Sequence, residues 1–284
     1  MILIADGGST TVEWCVLDEE KIVKRVSTTG MNAMMLGESE MAGIIGRELM
    51  PHLQGLAIDE VQYYGAGCLF DNICANVRNA IGANIPAASR ITVDTDLLAA
   101  ARAVCGNKPG IVCILGTGSN SCYYDGTRIA DNVPSLGYIL GDEGSGAVLG
   151  KMLVGDVLKR QMPAELVDKF MKQYSLTPQL ILENVYRRPG ANRFLASLSP
   201  FLAENIEEPS VHRLVLNAFK SFFVRNVEGY SGYKDMPVNF VGSIAESYRE
   251  VIEEAAKALY ITVGVIVKSP MDGLIEYHSY ARGG

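Results

Sequence analysis

The sequence predicts an α/β protein with two lobes. Two short apolar runs, at residues 2–5 and 111–115, each end in a turn of glycine and hydroxyl side chains, at residues 6–10 and 116–120. Strand-like and helix-like segments alternate after each run, which is typical of α/β proteins. At 284 residues the chain is long enough for two domains that each bury their own core.

The first hundred residues predict an alternation of strands and helices. We expect strands at residues 2–5, 13–17, 22–27, 61–65 and 91–93, and helices near residues 38–50 and 70–82. A second group of strands is predicted at residues 111–115, 121–124 and 127–130. The step Tyr124-Asp125-Gly126-Thr127 between the last two is a hairpin turn signal.

The second half of the chain is predominantly helical. Helical spacing dominates from residue 144 to about residue 228, where Thr177-Pro178 has the pattern of a helix start. A strand is predicted at residues 238–241, followed by a turn at Gly242-Ser243. The next helix carries one apolar face between residues 248 and 259. Ser269-Pro270 opens a final short helix.

Composition excludes several classes of protein. The net charge of −7 argues against non-specific nucleic-acid binding. No apolar run approaches the length that spans a membrane, and no signal peptide is apparent. The six cysteines form no CxxC pair, so we expect free thiols in a reducing compartment and a cytoplasmic protein. The three histidines are scattered, which gives no support to a metalloprotease or a Ser/His hydrolase.

The two glycine turns suit the oxygens of a phosphate. Glycine lets backbone N–H groups approach a ligand closely, and serine and threonine hydroxyls add donors beside them. In the first turn, Asp6 could hold Mg²⁺ through water while Gly8, Ser9 and Thr10 meet phosphate oxygens. A tight hairpin has the same pattern. The second turn lacks the third glycine of a dinucleotide-binding fingerprint.

Two carboxylates, Asp94 and Asp96, close a predicted strand just before a helix. At that place a carboxylate can simply cap the helix, where the helix dipole stabilises the anion. The functional alternative is a base that accepts a hydroxyl proton during phosphoryl transfer. Such a base needs no raised pKa, because positioning of the nucleophile matters most in that reaction.

The segment 136–146 concentrates glycines around Asp142 and Glu143. Two carboxylates beside glycines suit hydrogen bonds to vicinal hydroxyls, as on a sugar. A calcium loop would need more acids at alternating positions. Residues 146–151 resemble a P-loop only superficially, because the glycine spacing is wrong and Met152 replaces the Ser/Thr.

Together these turns resemble the sugar-kinase branch of the actin-like ATPase superfamily, and more closely the N-acetylglucosamine kinase-like family, grouped with the BadF/BadG/BcrA/BcrD-type ATPases. The resemblance covers essentially the whole chain, with the motifs in the family's order. The residues that match the phosphate and adenosine motifs are Asp6, Gly7, Gly8, Ser9, Thr10, Gly116, Thr117, Gly118, Gly242 and Ser243. Asp96 matches the catalytic aspartate, and residues 141–145 are the most specific piece.

The resemblance implies two ribonuclease-H-like lobes around a nucleotide and sugar cleft. The first lobe would comprise residues 1–108 plus 269–284, and the second residues 109–268. The implied reaction is ATP-dependent phosphorylation of the 6-hydroxyl of an amino sugar such as N-acetylglucosamine, with Mg²⁺ near Asp6 and Asp96 as general base. A homodimer is implied by family precedent. The implied sugar-binding residues are Asn32, Thr117, Asn120, Gly137, Asp142, Glu143 and Ser145.

The chain departs from the family pattern at two places. Thr11 and Val12 stand where relatives usually carry a basic residue and a second hydroxyl, and Leu136 stands where an aromatic residue is frequent. Two other functions remain open at the level of sequence. One is an ATPase that activates a partner enzyme through an iron–sulfur cluster, and the other is a non-catalytic sugar sensor with a weakened phosphate site.

Overall fold

The computed structural model describes residues 1–283, with side chains up to Ser279, and divides into two compact units. The first unit comprises Met1–Lys108 and the C-terminal residues from Pro270. The second unit is Pro109–Ser269. Each unit contains one five-stranded sheet. No helix among the described residues is both long enough and apolar enough to cross a membrane.

The sheet of the first unit has the strand order β3-β2-β1-β4-β5. The strand β1 pairs antiparallel with β2 and parallel with β4. Its side chains are buried on both faces, because Leu3 and Ala5 join one core cluster while Ile2 and Ile4 join another. The strands are β1 (Ile2–Gly7), β2 (Thr11–Asp18), β3 (Lys21–Thr29), β4 (Glu60–Gly65) and β5 (Arg90–Thr95).

Helices cover both faces of this sheet. On one face lie α1 (Glu38–Ile44) and α2 (Asp71–Asn84), and on the other α3 (Asp96–Cys105) and α13 (Met271–Gly283). The helix α1 is shorter than predicted, because the chain continues as a π-helical turn, Ile45–Leu49, and a 3₁₀ turn, Met50–His52. Pro51 lacks the N–H that a continued α-helix would need.

The sheet of the second unit repeats this arrangement, with the strand order β10-β9-β6-β7-β8. Its central strand β6 pairs antiparallel with β7 and parallel with β9. The two glycine turns therefore follow equivalent strands, β1 and β6, at the centre of each sheet. The strands are β6 (Gly110–Leu115), β7 (Ser119–Tyr124), β8 (Ile129–Asp131), β9 (Val238–Val241) and β10 (Val263–Val267).

The helices of the second unit bury a large aromatic core. Phe219, Phe222 and Phe223 of α10 are essentially inaccessible, and Phe222 and Phe223 pack against Phe240 of β9. The helices are α4 (Gly137–Leu140), α5 (Gly146–Leu158), α6 (Ala164–Gln173), α7 (Pro178–Tyr186), α8 (Ala191–Leu198), α9 (Pro200–Glu204), α10 (Pro209–Arg225), α11 (Ser243–Ser247) and α12 (Arg249–Ala258).

Most predicted elements are confirmed; besides α1, one strand begins later than predicted and one strand was missed. The strand predicted at residues 127–130 begins two residues later, at Ile129, because Asp125 accepts hydrogen bonds from the backbone of Thr127 and Arg128 and extends the turn. The strand β10 was not predicted. It is an edge strand with a register shift and a glycine, Gly264, so its pattern is weak.

Candidate functional site

The turn at residues 6–10 closes the hairpin between β1 and β2. The N–H of Gly8 donates to the carbonyl of Thr11 at 2.9 Å. The turn is therefore a tight hairpin that carries Asp6 and two hydroxyl side chains beside glycines, and its role in phosphate binding stays a prediction. The turn is partly accessible, and Thr10 is exposed.

The loop that carries Asn32 packs directly on this turn. The amide of Asn32 donates to Oγ of Ser9 at 2.9 Å, and the N–H of Gly30 donates to the carbonyl of Thr10 at 2.9 Å. A Cβ at position 30 would lie 2.5 Å from the backbone of Ser9 and Thr10, so glycine is required there. A candidate sugar residue and a candidate phosphate residue are thus in contact.

Three acidic side chains and a tyrosine form a row across the first sheet beside this turn. Glu13, Asp6, Tyr64 and Asp94 are neighbours in register on β2, β1, β4 and β5, so their side chains leave the same face. The pKa of Asp6 is raised from 3.8 to about 7, mainly by burial and further by the charges of Asp96 and Glu13. The first unit therefore gathers negative charge at the end of its central strand.

The two candidate bases have different surroundings. Asp96 is the first residue of α3, is half-buried, and its Oδ1 accepts from the N–H of Leu97 at 2.9 Å. Burial raises its pKa, while that backbone donor lowers it. Asp94 instead faces the guanidinium of Arg102 at 3.7 Å, and the same guanidinium donates to the hydroxyl of Tyr64 at 2.7 Å. Asp94 is therefore engaged by a cation of its own unit.

The carboxylate of Asp6 is a ligand of the type that suits a hydrated Mg²⁺ ion. In the part of the chain that the structure describes, no three His, Cys, Asp or Glu side chains are grouped to hold a metal directly. Carboxylate oxygen is nevertheless the ligand type that Mg²⁺ prefers, and Mg²⁺ usually keeps several waters. The raised pKa of Asp6 arises from burial and acidic neighbours, and a nearby cation would offset both effects.

Positions 11 and 12 have opposite environments. Thr11 is exposed, whereas Val12 is fully buried in the core between the sheet and its helices. A basic residue at position 11 would reach solvent beside the turn, and a second hydroxyl at position 12 would be buried. The departure from the family pattern at Val12 therefore adds to the core, and only the one at Thr11 removes a charge from the accessible turn.

The second glycine turn is fastened to the start of α5. The N–H of Gly116 donates to the carbonyl of Gly118 at 2.9 Å, which makes the turn tight. The first two N–H groups of α5, from Gly146 and Ala147, donate to the carbonyls of Gly116 and Thr117 at 2.9 and 3.1 Å. These bonds satisfy helix N–H groups that would otherwise lack partners, and they fix the turn against the helix.

Asp142 lies against the same turn. The backbone N–H of Ser119 donates to the Asp142 carboxylate, and a Cβ on Gly118 would lie 3.0 Å from Oδ2 of Asp142. Asp142 is only 8% exposed and has a left-handed backbone, with φ 54°. Its pKa is raised to about 6, mainly by burial and also by Glu143, while the Ser119 N–H and Lys151 oppose the rise.

Glu143 and Ser145 are occupied by contacts within the second unit. The carboxylate of Glu143 accepts from Nε of Arg225 and, at 3.4 Å, from the amide of Asn226. The hydroxyl of Ser145 is buried and accepts from the N–H of Val148 at 3.2 Å, which caps α5. Both side chains thus hold the loop that carries Asp142.

The remaining predicted sugar residues flank this loop. Oδ1 of Asn120 accepts from the N–H of Ser121 and from the amide of Asn132. Gly137 has φ 73° and begins α4, where its carbonyl accepts from the N–H of Gly141 at 2.7 Å. Thr117 is half-buried in the turn.

The Gly242-Ser243 turn packs behind the second glycine turn. Gly242 has φ 128°, and a Cβ there would lie 2.2 Å from the carbonyl oxygen of Leu115, the residue before Gly116. Only glycine permits this approach. Ser243 is exposed at the start of α11.

The predicted site residues therefore form two groups, one in each unit. The first joins the turn at residues 6–10 to Asn32 and Asp96, and the second joins the turn at residues 116–120 to Asp142 and Gly242. Two residues of the second group, Arg225 and Asn226, were not predicted; they lie more than eighty positions after Glu143. Sequence spacing gives no signal for such a contact.

Comparison with solved structures identifies similar folds over the whole chain. A Porphyromonas gingivalis protein, provisionally named N-acetylglucosamine kinase, is 46% identical, with a TM-score of 0.96; the match covers 99% of this chain and 100% of that one. A Chromobacterium violaceum protein with the same provisional name is 16% identical, with a TM-score of 0.78 and coverage of 97% and 98%.

A more distant structure shares only the fold. The ROK family glucokinase of Streptomyces griseus, solved with glucose and AMPPNP, is 14% identical, with a TM-score of 0.56 and coverage of 99% and 100%. No protein-family model and no curated protein matches the chain. The two mixed five-stranded sheets are those of the actin-like sugar kinase fold. With 46% identity over its full length to the Porphyromonas gingivalis protein, the chain belongs to the N-acetylglucosamine kinase-like family.

Proposed function

We propose that this protein is an ATP-dependent sugar kinase that phosphorylates the 6-hydroxyl of an amino sugar, with N-acetylglucosamine as the first candidate. The observation that carries the proposal is the position of Asp96. It begins α3 as a half-buried carboxylate, and its charge acts on Asp6 in the turn at the end of β1. A base close to a phosphate-type turn suits phosphoryl transfer to a hydroxyl.

The proposed reaction is a direct transfer. The sugar hydroxyl gives its proton to the Asp96 carboxylate while its oxygen attacks the γ-phosphorus of ATP. The bond between the γ-phosphorus and the bridging oxygen breaks, and ADP leaves with that oxygen. Burial raises the pKa of Asp96, which strengthens it as a proton acceptor, and the N–H of Leu97 and the helix dipole oppose part of that rise.

We assign the glycine turns to ATP. Backbone N–H groups and hydroxyls of residues 6–10 and 116–118 would contact phosphate oxygens, and Gly242-Ser243 would lie near the adenosine. Asp6 would hold Mg²⁺ through water, and the charge on the phosphates would be neutralised by that ion. Burial and acidic neighbours around Asp6 support this assignment.

We assign the sugar to Asn32, Thr117, Asn120, Gly137 and Asp142. Carboxylate and amide groups suit sugar hydroxyls because they fix acceptors and donors at set positions. Asp142 has the strongest support, since it is held against the second turn by the Ser119 N–H. Glu143 and Ser145 have other partners, so we propose that they contribute through the loop.

Asp96 is a better candidate for the base than Asp94. Asp94 already faces the Arg102 guanidinium at 3.7 Å, and that guanidinium also donates to the hydroxyl of Tyr64. The side chain of Asp96 accepts only from backbone N–H groups among the contacts that affect its pKa. Replacement of Asp96 should therefore lower kcat more than replacement of Asp94.

The test is ADP release in a coupled assay with N-acetylglucosamine, glucosamine and N-acetylmuramic acid. We expect D96N to lose at least about a hundredfold in kcat while its affinity for ATP stays unchanged. The matched variant D94N should lose far less. An Asp96→Asn enzyme with near wild-type turnover would overturn the assignment of the base.

The same assay separates the other functions left open by the sequence. If no sugar raises ADP release above background while calorimetry detects sugar binding, the protein is a sensor. An iron assay on the purified protein tests the other alternative, an ATPase that activates a partner enzyme through an iron–sulfur cluster. Because the proposed reaction consumes ATP, we further propose that the protein is cytoplasmic, which cell fractionation can check. The resemblance to the family is the basis on which we propose a homodimer, which light scattering can check.

A further inference from the structure

The segment at residues 135–145, here called the Asp142 segment, has few hydrogen bonds between its own residues. The N–H of Asp142 donates to the carbonyl of Ser135 at 2.9 Å, and the N–H of Ser145 donates to the carbonyl of Asp142 at 3.1 Å. Leu136 and Asp142 both have left-handed backbones, with φ 62° and 54°. For residues with a Cβ this conformation is unfavourable, so surrounding contacts must maintain it.

The middle of the segment has one apolar anchor, Tyr138, which is half-buried and packs against the core of the second unit. Leu136, Ile139 and Leu140 are 60%, 74% and 69% exposed. Burial of apolar surface therefore fixes α4 through a single side chain. A segment with few buried apolar contacts opens easily unless polar contacts hold it.

Two cations supply such contacts, one on each side of Asp142. Nζ of Lys151, on α5, donates to the carbonyl of Tyr138 at 2.7 Å. Nε of Arg225, at the end of α10, donates to the Glu143 carboxylate, which is only 16% exposed. Both helices belong to the core of the second unit, so each cation links the segment to a fixed element.

We propose that Lys151 and Arg225 are positioning residues that hold the Asp142 segment in the geometry that binds sugar. Neither side chain needs to touch the sugar. Lys151 fixes the helical turn before Asp142, and Arg225 fixes the residue after it. The inference rests on the proposed function, because it takes Asp142 as a sugar ligand.

The charges around Asp142 are consistent with this role. Lys151 favours the ionised form of Asp142, and Glu143 disfavours it. Arg225 neutralises Glu143 through their ion pair. The two cations therefore support the carboxylate in the ionised state that accepts hydrogen bonds from sugar hydroxyls.

The kinetic test uses K151M and R225M, which remove the donors and keep the aliphatic stems. Each should raise the sugar KM about fivefold, with kcat and the ATP KM within twofold of wild type, because one polar contact of the loop is lost. K151R and R225K should restore most of the sugar affinity. The controls are K159M, at the exposed position that follows α5, and R213M, at an exposed position on α10.

A double variant separates positioning from direct contact. If Glu143 acts through Arg225, E143A and R225M remove the same contact, so the combined variant should be no worse than E143A alone. If Glu143 binds the sugar independently, the two effects will add. Additive effects would overturn the assigned role of Arg225.

Hydrogen exchange gives a readout that does not depend on catalysis. The amides of Gly141, Asp142 and Ser145 donate within the segment and should be protected in the wild-type protein. K151M and R225M should increase exchange in a peptide covering residues 135–146, with little change in peptides from β6 or α10. Unchanged exchange there would overturn the proposal.

The two proposals fail in different ways. If no sugar is phosphorylated by the wild type, the proposed function fails, while the exchange experiment still tests whether the cations hold the segment. If the wild type is active and K151M and R225M match their controls in sugar KM, only the positioning role fails. Parallel losses of kcat, ATP affinity and melting temperature would indicate general destabilisation and would likewise overturn it.

Discussion

Replacement of Asp142 by asparagine should stabilise the protein in a pH-dependent way. The pKa of Asp142 rises from 3.8 to about 6 on folding, mainly because the carboxylate is buried. The folded state therefore holds a proton that the unfolded state releases between these two values, and stability falls as the pH rises through that window. Asparagine has no charge to bury, so D142N avoids this loss.

The magnitude follows from the two pKa values. At pH 8 the full difference applies, and at about 1.4 kcal/mol per pH unit the ionised carboxylate costs about 3 kcal/mol. At pH 5 Asp142 is mostly protonated in the folded state, and the same relation gives about 1.5 kcal/mol. The advantage of D142N should therefore roughly double between pH 5 and pH 8.

Urea unfolding of the second unit in wild type and in D142N, at pH 5 and at pH 8, measures this difference in the free energy of unfolding. If D142N weakens the hydrogen bond from the Ser119 N–H, the free energy of unfolding changes by the same amount at pH 5 and at pH 8. The pH dependence of the difference between D142N and wild type is then unaffected. Asp125 is a control of opposite sign, because backbone and side-chain donors of Thr127 and Arg128 lower its pKa to about 2. D125N should therefore be less stable than wild type at pH 8, and its deficit should shrink as the pH falls towards 2. A gain for D142N that is equal at pH 5 and pH 8 would refute the burial account of Asp142.

Three further outcomes test the site and its support. The value of kcat/KM for the sugar should fall as the pH drops below about 6, where Asp142 becomes protonated, and this acid limb should be measurable by ADP release. G118A should raise the sugar KM, because its Cβ would lie 3.0 Å from Oδ2 of Asp142 and push the carboxylate away. G242A should lower the free energy of unfolding by at least about 3 kcal/mol, since its φ of 128° and the Leu115 carbonyl at 2.2 Å exclude a Cβ; circular dichroism during heating would measure it.

The sequence predicted the elements that carry strong local patterns. Apolar runs bounded by glycine identified β1 and β6, and Thr177-Pro178 correctly indicated the start of α7. Local patterns failed where tertiary contacts decide. The strand β10 lies at a sheet edge and pairs only with β9, so its short apolar run lacked the flanking signals of the others.

The candidate site was also predictable only where a local sequence motif identifies its residues. Motif residues such as Asp6 and Asp142 follow from spacing and from resemblance to the family. Their electrostatic state does not, because it depends on burial and on distant neighbours such as Glu13 for Asp6. The partners of Glu143 were also hidden, since Arg225 lies on a helix whose apolar spacing indicates only a core.

The two sheets place negative charge differently after their central strands. In the first unit β1 leads into the turn with Asp6, and Glu13 and Asp96 add charge beside it. In the second unit β6 ends at Leu115, the turn at residues 116–120 contains no acid, and Asp142 reaches its far side from a separate loop. A phosphate would meet repulsion at the first turn unless a cation were bound there, whereas the residues of the second turn carry N–H and hydroxyl donors and no acid, and the nearby Asp142 carboxylate already accepts from the Ser119 N–H. In the proposed reaction the first turn therefore depends on Mg²⁺ for ATP binding, whereas the second can contact phosphate oxygens directly.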